Sequence, residues 1–189
     1  MKEYLKKIVT MWIIFFPVFS FADAEGWSIL PANSSITFIA TQNNAPVSGK
    51  FTQFTGDIHF DPAQLKTSHV RIVVDMASVT TDYADVANTL KTADWFNIAA
   101  FPQAVFTASD FTKTGNKSYQ ANGTLTIRDK SVPAVITFTL DEFSETKARV
   151  QGSILLKRLS FGIGQGEWQK TDTVKDEVEV QFKVTAVRK

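Results

Sequence analysis

Glu177-Val178-Glu179-Val180-Gln181-Phe182-Lys183-Val184-Thr185-Ala186 is the stretch on which the fold class turns. Val178, Val180, Phe182, Val184 and Ala186 alternate with Glu177, Glu179, Gln181, Lys183 and Thr185. A period of two sends one set of side chains to a core and the other to water, which describes a half-buried β-strand and no helix. Working outward, the same period recurs. Ile36, Phe38 and Ala40 form one apolar row. Val70, Ile72, Val74 and Met76 form another, facing away from Arg71 and Asp75. Further strands are predicted at 103–112, 118–128, 133–143 and 148–158, with turn chemistry at Gly115-Asn116, Asp129-Lys130-Ser131 and Asp141-Glu142. The segment 47–60 reads as one long strand or a strand pair, with bulges or bends at Gly49 and Gly56.

One stretch departs from this period. Tyr83, Val86, Ala87 and Leu90 recur at helical spacing within 82–96. Asp82 is the expected N-cap, and Thr92 the expected cap of a second short turn through Asp94-Trp95-Phe96. Pro102 then ends the helical region. About eight antiparallel strands with one helical insertion must bury one face and dispose of two edges. Closure into a barrel does both, and a sandwich is the alternative. The long strands in near-continuous hairpin order favour an all-β, eight-stranded antiparallel barrel. Its interior is either filled by side chains or holds one small elongated ligand.

Residues 1–24 read as a secretory signal peptide. Lys2, Lys6 and Lys7 charge the start, Ile8 to Phe21 is apolar, and Ala22-Asp23-Ala24 supplies the small-x-small cleavage pattern. Cleavage is expected after Ala24, with Ala22 as the alternative. The apolar run is shorter than the roughly 18–20 residues of a membrane span. The expected product is one domain over 25–189, periplasmic, with no further stretch long enough to cross a bilayer. Its formal charge is zero, so no basic nucleic-acid surface is expected. Cysteine is absent from the whole chain, which excludes thiol catalysis, thiolate metal sites and disulfides.

Catalytic signals are sparse. The two histidines are His59 and His69, and no G-x-S-x-G elbow occurs. Asp57, His59 and Asp61 share one strand face as potential metal ligands, but the row is read as a solvated outer face and no metal is expected. Gly162-Ile163-Gly164-Gln165-Gly166 lacks the following helix and the spacing of a nucleotide fingerprint, and is read as a flexible loop. Twelve Phe, three Trp and two Tyr remain beyond residue 24. They either fill a large core or line a cavity.

A series of short motifs resembles the YceI-like family of exported, lipocalin-like, polyisoprenoid-binding proteins. They include Trp27-Ser28-Ile29, Ser34-Ser35-Ile36-Thr37-Phe38, Val47-Ser48-Gly49-Lys50-Phe51 and Phe54-Thr55-Gly56-Asp57-Ile58. Leu90-Lys91-Thr92-Ala93-Asp94-Trp95-Phe96, Phe101-Pro102-Gln103-Ala104-Val105-Phe106, Gly123-Thr124-Leu125-Thr126-Ile127-Arg128, and Arg158 ahead of Phe161-Gly162 continue the series. Asp129 stands where many members have Gly, and Asn97 where an acid is common. The resemblance implies a lipocalin-like barrel around a long apolar tunnel, and a periplasmic binding or carrier protein for long-chain isoprenoid lipids of the polyprenyl phosphate or isoprenoid-quinone type. Phe38, Phe51, Phe54, Phe60, Phe106, Phe138 and Phe182 lie on apolar strand faces and are expected to line the tunnel. Trp95, Phe96 and Phe101 sit in the helical region and are expected at its entrance. No catalytic residue and no cofactor are expected. The expected partner is a polyisoprenoid or other lipophile, with a homodimer allowed. The alternatives are a stress-induced structural or interaction barrel without a stable ligand, and a lipid-acting hydrolase or isomerase using carboxylates with His59 or His69.

Overall fold

The structure is a computed structural model and describes residues 26–189. The expected leader and its cleavage site lie outside the described residues. The strand segments are β1 (Trp27–Ile29), β2 (Ser35–Gln42), β3 (Ala45–Phe51), β4 (Phe54–His59), β5 (His69–Asp75), β6 (Val79–Thr81), β7 (Gln103–Lys113), β8 (Ser118–Ile127), β9 (Lys130–Phe143), β10 (Lys147–Lys157) and β11 (Glu177–Arg188). One helix, α1 (Ala84–Lys91), follows β6.

Three pairs of these segments behave as single interrupted strands. β1 and β2 lie along the same edge of β11: Trp27, Ser28 and Ile29 pair with Arg188, Val187 and Ala186, and Ser35 to Ile39 pair with Lys183 to Glu179. The gap between them holds Pro31, which has no N–H to donate to a ladder. Side chains bridge the gap: Ser34 Oγ accepts from the Thr185 N–H at 3.0 Å, and Thr185 Oγ1 donates to the Asn33 carbonyl at 3.1 Å. β3 and β4 break at 52–53. β5 and β6 are separated by a 3₁₀ turn at Met76–Ser78, where the Asp75 carboxylate accepts from the Ala77 N–H at 2.8 Å. Taken together, these segments make eight antiparallel strands in chain order, and pairing of β11 with β1 and β2 closes the ring. The all-β, eight-stranded barrel with one helix is the fold.

The two ends of this barrel differ. The β2–β3 and β8–β9 hairpins, α1, the following loop and the segment 158–176 gather at one end, the cap. The other end, the floor, carries the 60–68 loop and both described termini, where the Lys189 N–H donates to the Gly26 carbonyl at 2.9 Å.

Local details correct the sequence reading. Tyr83 is the N-cap of α1, not Asp82, and makes no side-chain cap bond. Thr92 ends α1, its Oγ1 donates back to the Thr89 carbonyl at 2.7 Å, and its own carbonyl accepts from the Trp95 N–H at 3.1 Å, which opens the expected short turn through Asp94-Trp95-Phe96. Asp141 and Glu142 belong to β9, and the turn falls at 144–146. Register slips lie beside Ala108/Asp110 and Arg149/Val150, not at Gly49 or Gly56. Gly49 serves another purpose. It pairs with Phe38, and a Cβ there would overlap the Phe38 ring. Gly152 relates to Phe182 in the same way. Inward rings therefore lie flat over cross-strand glycines, which lets a barrel hold many aromatics.

Candidate ligand-binding cavity

Because strand side chains alternate, closure turns every apolar row inward. The rows do not meet at the axis. They enclose a cavity of about 310 Å³. That lies within the range of roughly 300–1,000 Å³ typical of small-molecule sites. All seven phenylalanines read as tunnel residues stand on its wall: Phe38, Phe51, Phe54, Phe60, Phe106, Phe138 and Phe182. Trp95 and Phe96 also border it, at the cap. Phe101 does not. Its ring lies off the wall, 5.8 Å from the Arg128 guanidinium.

The floor is a set of interlocking rings. Phe60 meets Phe111, Tyr119 and Phe138 edge-on, with centroids 5.4, 5.6 and 5.7 Å away. Trp27, 1% exposed, packs against Phe143 and donates its Nε1–H to the Phe60 carbonyl at 3.0 Å. Sequence reading passed over Trp27, Phe111 and Phe143 as wall residues, although Trp27 sits in the first quoted motif. Trp27 stands on a three-residue strand, Phe143 ends β9, and Phe111 reaches the inner face only through the register slip beside Ala108/Asp110, so alternation alone does not assign them.

The cap is built around two arginines. Arg158 is 2% exposed and, among the described residues, is the one charged residue on the cavity wall. Its guanidinium donates to the carbonyls of Ile163 (2.8 Å), Trp168 (2.7 Å), Val174 (2.9 Å), Lys175 (3.1 Å) and Lys170 (3.3 Å). Burial pushes its pKa below the usual arginine value, and the Asp176 carboxylate acts in the opposite sense. The glycine-rich segment read as a flexible loop is thus wrapped on this guanidinium. Ile163 is buried, and a Cβ at Gly164 would collide with Arg158 Nη1. Arg128 occupies a left-handed conformation (φ 57°) in the two-residue β8–β9 loop. Its Nη1 donates to the carbonyls of Trp95 and Gly162, both at 2.7 Å, joining three loops. Trp95 Nε1 and Arg128 Nε are buried with no partner among the described residues.

The two histidines of the enzyme alternative, and the aspartates of the row around His59, do not border the cavity. His59, His69 and Asp57 lie on the outer face of β4 and β5, and Asp61 caps the Ala63 N–H at 2.8 Å. Among the described residues, the wall offers no carboxylate, imidazole or hydroxyl.

A closed, eight-stranded antiparallel barrel around an apolar cavity defines a lipocalin-like binding fold. The family is equally plain: a YceI-like domain model matches residues 27–186, and the chain belongs to that family. A UPF0312 protein of Shewanella baltica is 29% identical over 175 residues, covering 88% of this chain and 86% of its own. The crystal structure of BcnA from Burkholderia cenocepacia superposes with a TM-score of 0.79 at 29% identity, over 83% of this chain and 98% of that one. A polyisoprenoid binding domain from Saccharophagus degradans has the same fold, with a TM-score of 0.69 at 15% identity over 87% of this chain and 99% of that one.

Proposed function

We propose that this chain is an exported carrier for long-chain isoprenoid lipids, which it holds as intact molecules in the barrel cavity. The observation that carries this reading is the cavity wall. It is apolar from the aromatic floor to the cap, apart from Arg158. A prenyl tail has no hydrogen-bonding groups, so such a wall leaves nothing unpaired when it closes on one. Burial contributes roughly 25 cal/mol per Å² of tail surface, less the cost of ordering the tail. The polyisoprenoid binding domain of the same fold supports the ligand class. The absence of acid, base or nucleophile on the described wall favours carriage over turnover.

We assign the polar head of the lipid to the cap. Two buried donors without partners among the described residues, Trp95 Nε1–H and Arg128 Nε–H, are found there beside the Arg158 charge. Both nitrogens are covered by neighbouring atoms, so a small loop shift is needed for either to reach an oxygen of the ligand. The leader sequence supports a periplasmic location.

The direct test is mass spectrometry of an organic extract from protein purified out of its native host. A prenyl lipid recovered unmodified in amounts comparable with the protein is the expected result. A barrel that carries no lipid and takes up none from prenyl-lipid vesicles would return the chain to the structural alternative. Recovery of a cleaved or isomerised lipid would make it an enzyme.

A further inference from the structure

Sequence spacing placed Asp57, His59 and Asp61 in one row and stopped there. The topology exchanges one member of that set. His59 and His69 are directly opposite one another across the β4–β5 pair. Their rings stack, with centroids 4.4 Å apart and planes at 19°. Asp57 is two residues before His59 on the same strand face. One ligand atom from each of Asp57, His59 and His69 falls within 4.8 Å of the others. Asp61 turns away to the 60–68 loop.

We propose that Asp57, His59 and His69 form a binding site for a borderline divalent transition-metal ion such as Zn²⁺ or Cu²⁺, on the outer wall of the barrel and separate from the cavity. Two imidazoles and one carboxylate are the donor set such ions favour, whereas Mg²⁺ and Ca²⁺ favour oxygen alone. Ligands about 2.1 Å from a tetrahedral ion stand about 3.4 Å from one another. Asp57 Oδ1 and His59 Nε2 are already 3.4 Å apart. Near-parallel ring planes keep the two in-plane lone pairs from meeting at one point, so His69 must turn towards the shared apex. It is exposed and has room to do so. Its Nδ1 lies 3.4 Å from the Thr67 carbonyl, a partner that leaves Nε2 to ligate. Two cations oppose binding: Lys189 Nζ is 3.9 Å from Asp57 Oδ1, and Arg71 is the cross-strand neighbour of Asp57. The ion would tie β4 to β5 beside the seam where β1 closes the barrel.

The test is calorimetric titration of tag-free protein with Zn²⁺, together with electron paramagnetic resonance of the Cu²⁺ form. One ion per chain is expected, with a Cu²⁺ spectrum that shows coupling to two imidazole nitrogens. His59→Gln and His69→Gln should each weaken Zn²⁺ binding at least about tenfold, on the scale of lost metal-site interactions, while Asp61→Asn leaves it unchanged. Unchanged affinity in the folded double histidine variant would overturn the site, as would the absence of saturable binding in the wild type. If the double variant does not fold, the wild-type Cu²⁺ spectrum decides. Coupling to two nitrogens supports the site, and none refutes it.

Discussion

Arg158 holds the cap together, so its replacement should be strongly destabilising. Five backbone carbonyls accept from its guanidinium inside a nearly dry loop cluster. Arg158→Met removes the donors and leaves the acceptors buried, so stability should fall by about 3–5 kcal/mol in urea titration. Arg158→Lys should rescue little of this, because an ammonium cannot reproduce the planar fork. The phenylalanines call for a different experiment. Phe106→Leu keeps the wall apolar and is expected to weaken prenyl-lipid retention severalfold with little change in melting temperature. Phe182→Asp places an unpaired charge inside the barrel and should unfold it. A series of Phe→Leu variants that lose stability but never lipid would mean that the rings only fill a core. At the cap, Trp95→Phe deletes one N–H and keeps an aromatic ring. It should weaken binding of a prenyl lipid with an oxygen head group and leave a hydrocarbon of equal length unaffected. Equal losses for both would place the head elsewhere.

At the scale of elements, the seam is the weakest line of the barrel. Among the described residues β1 contributes three, and its pairing with β4 is a single register position, Trp27 opposite Ile58. β8 and β9 by contrast pair continuously over ten positions, from Ser118–Thr139 to Ile127–Lys130. Hydrogen exchange should therefore be faster in β4 than in β8, and uniform protection around the barrel would contradict this reading. Trp27 fastens the seam through its ring contacts and its bond to Phe60, so Trp27→Ala should cost about 3–5 kcal/mol. The rings over glycines are a second vulnerable feature. In Gly152→Val the new side chain collides with the Thr137 carbonyl and the Phe182 ring. Denaturant unfolding should register a loss of about 1–3 kcal/mol or more, as overpacking does elsewhere.

For the whole molecule, the reading as an exported carrier makes one prediction independent of the cavity. Protein isolated from its host should begin at Glu25, by N-terminal sequencing. An intact Met1 in the membrane fraction would refute processing. The barrel also explains how a chain without cysteine can hold a large cavity. Closure pairs the main strand edges, and the eight strands, three of them interrupted, contribute a hydrogen-bonded wall in place of a filled centre.

The strand faces were legible in the chain itself. Alternation in 177–186 and its counterparts is a local property, and closure carries each apolar row inward whatever the loops do. One of the three strand breaks also has a local cause in Pro31. The loops were not legible. Gly162 to Gly166 looks mobile from composition, yet it is organised by an arginine whose acceptors lie up to 17 residues along the chain. The outer site shows the same limit. Periodicity relates residues along one strand, so it grouped His59 with Asp61. Only the pairing register of β4 with β5 brings His69 opposite His59, because that contact depends on how two strands meet and not on either strand's sequence.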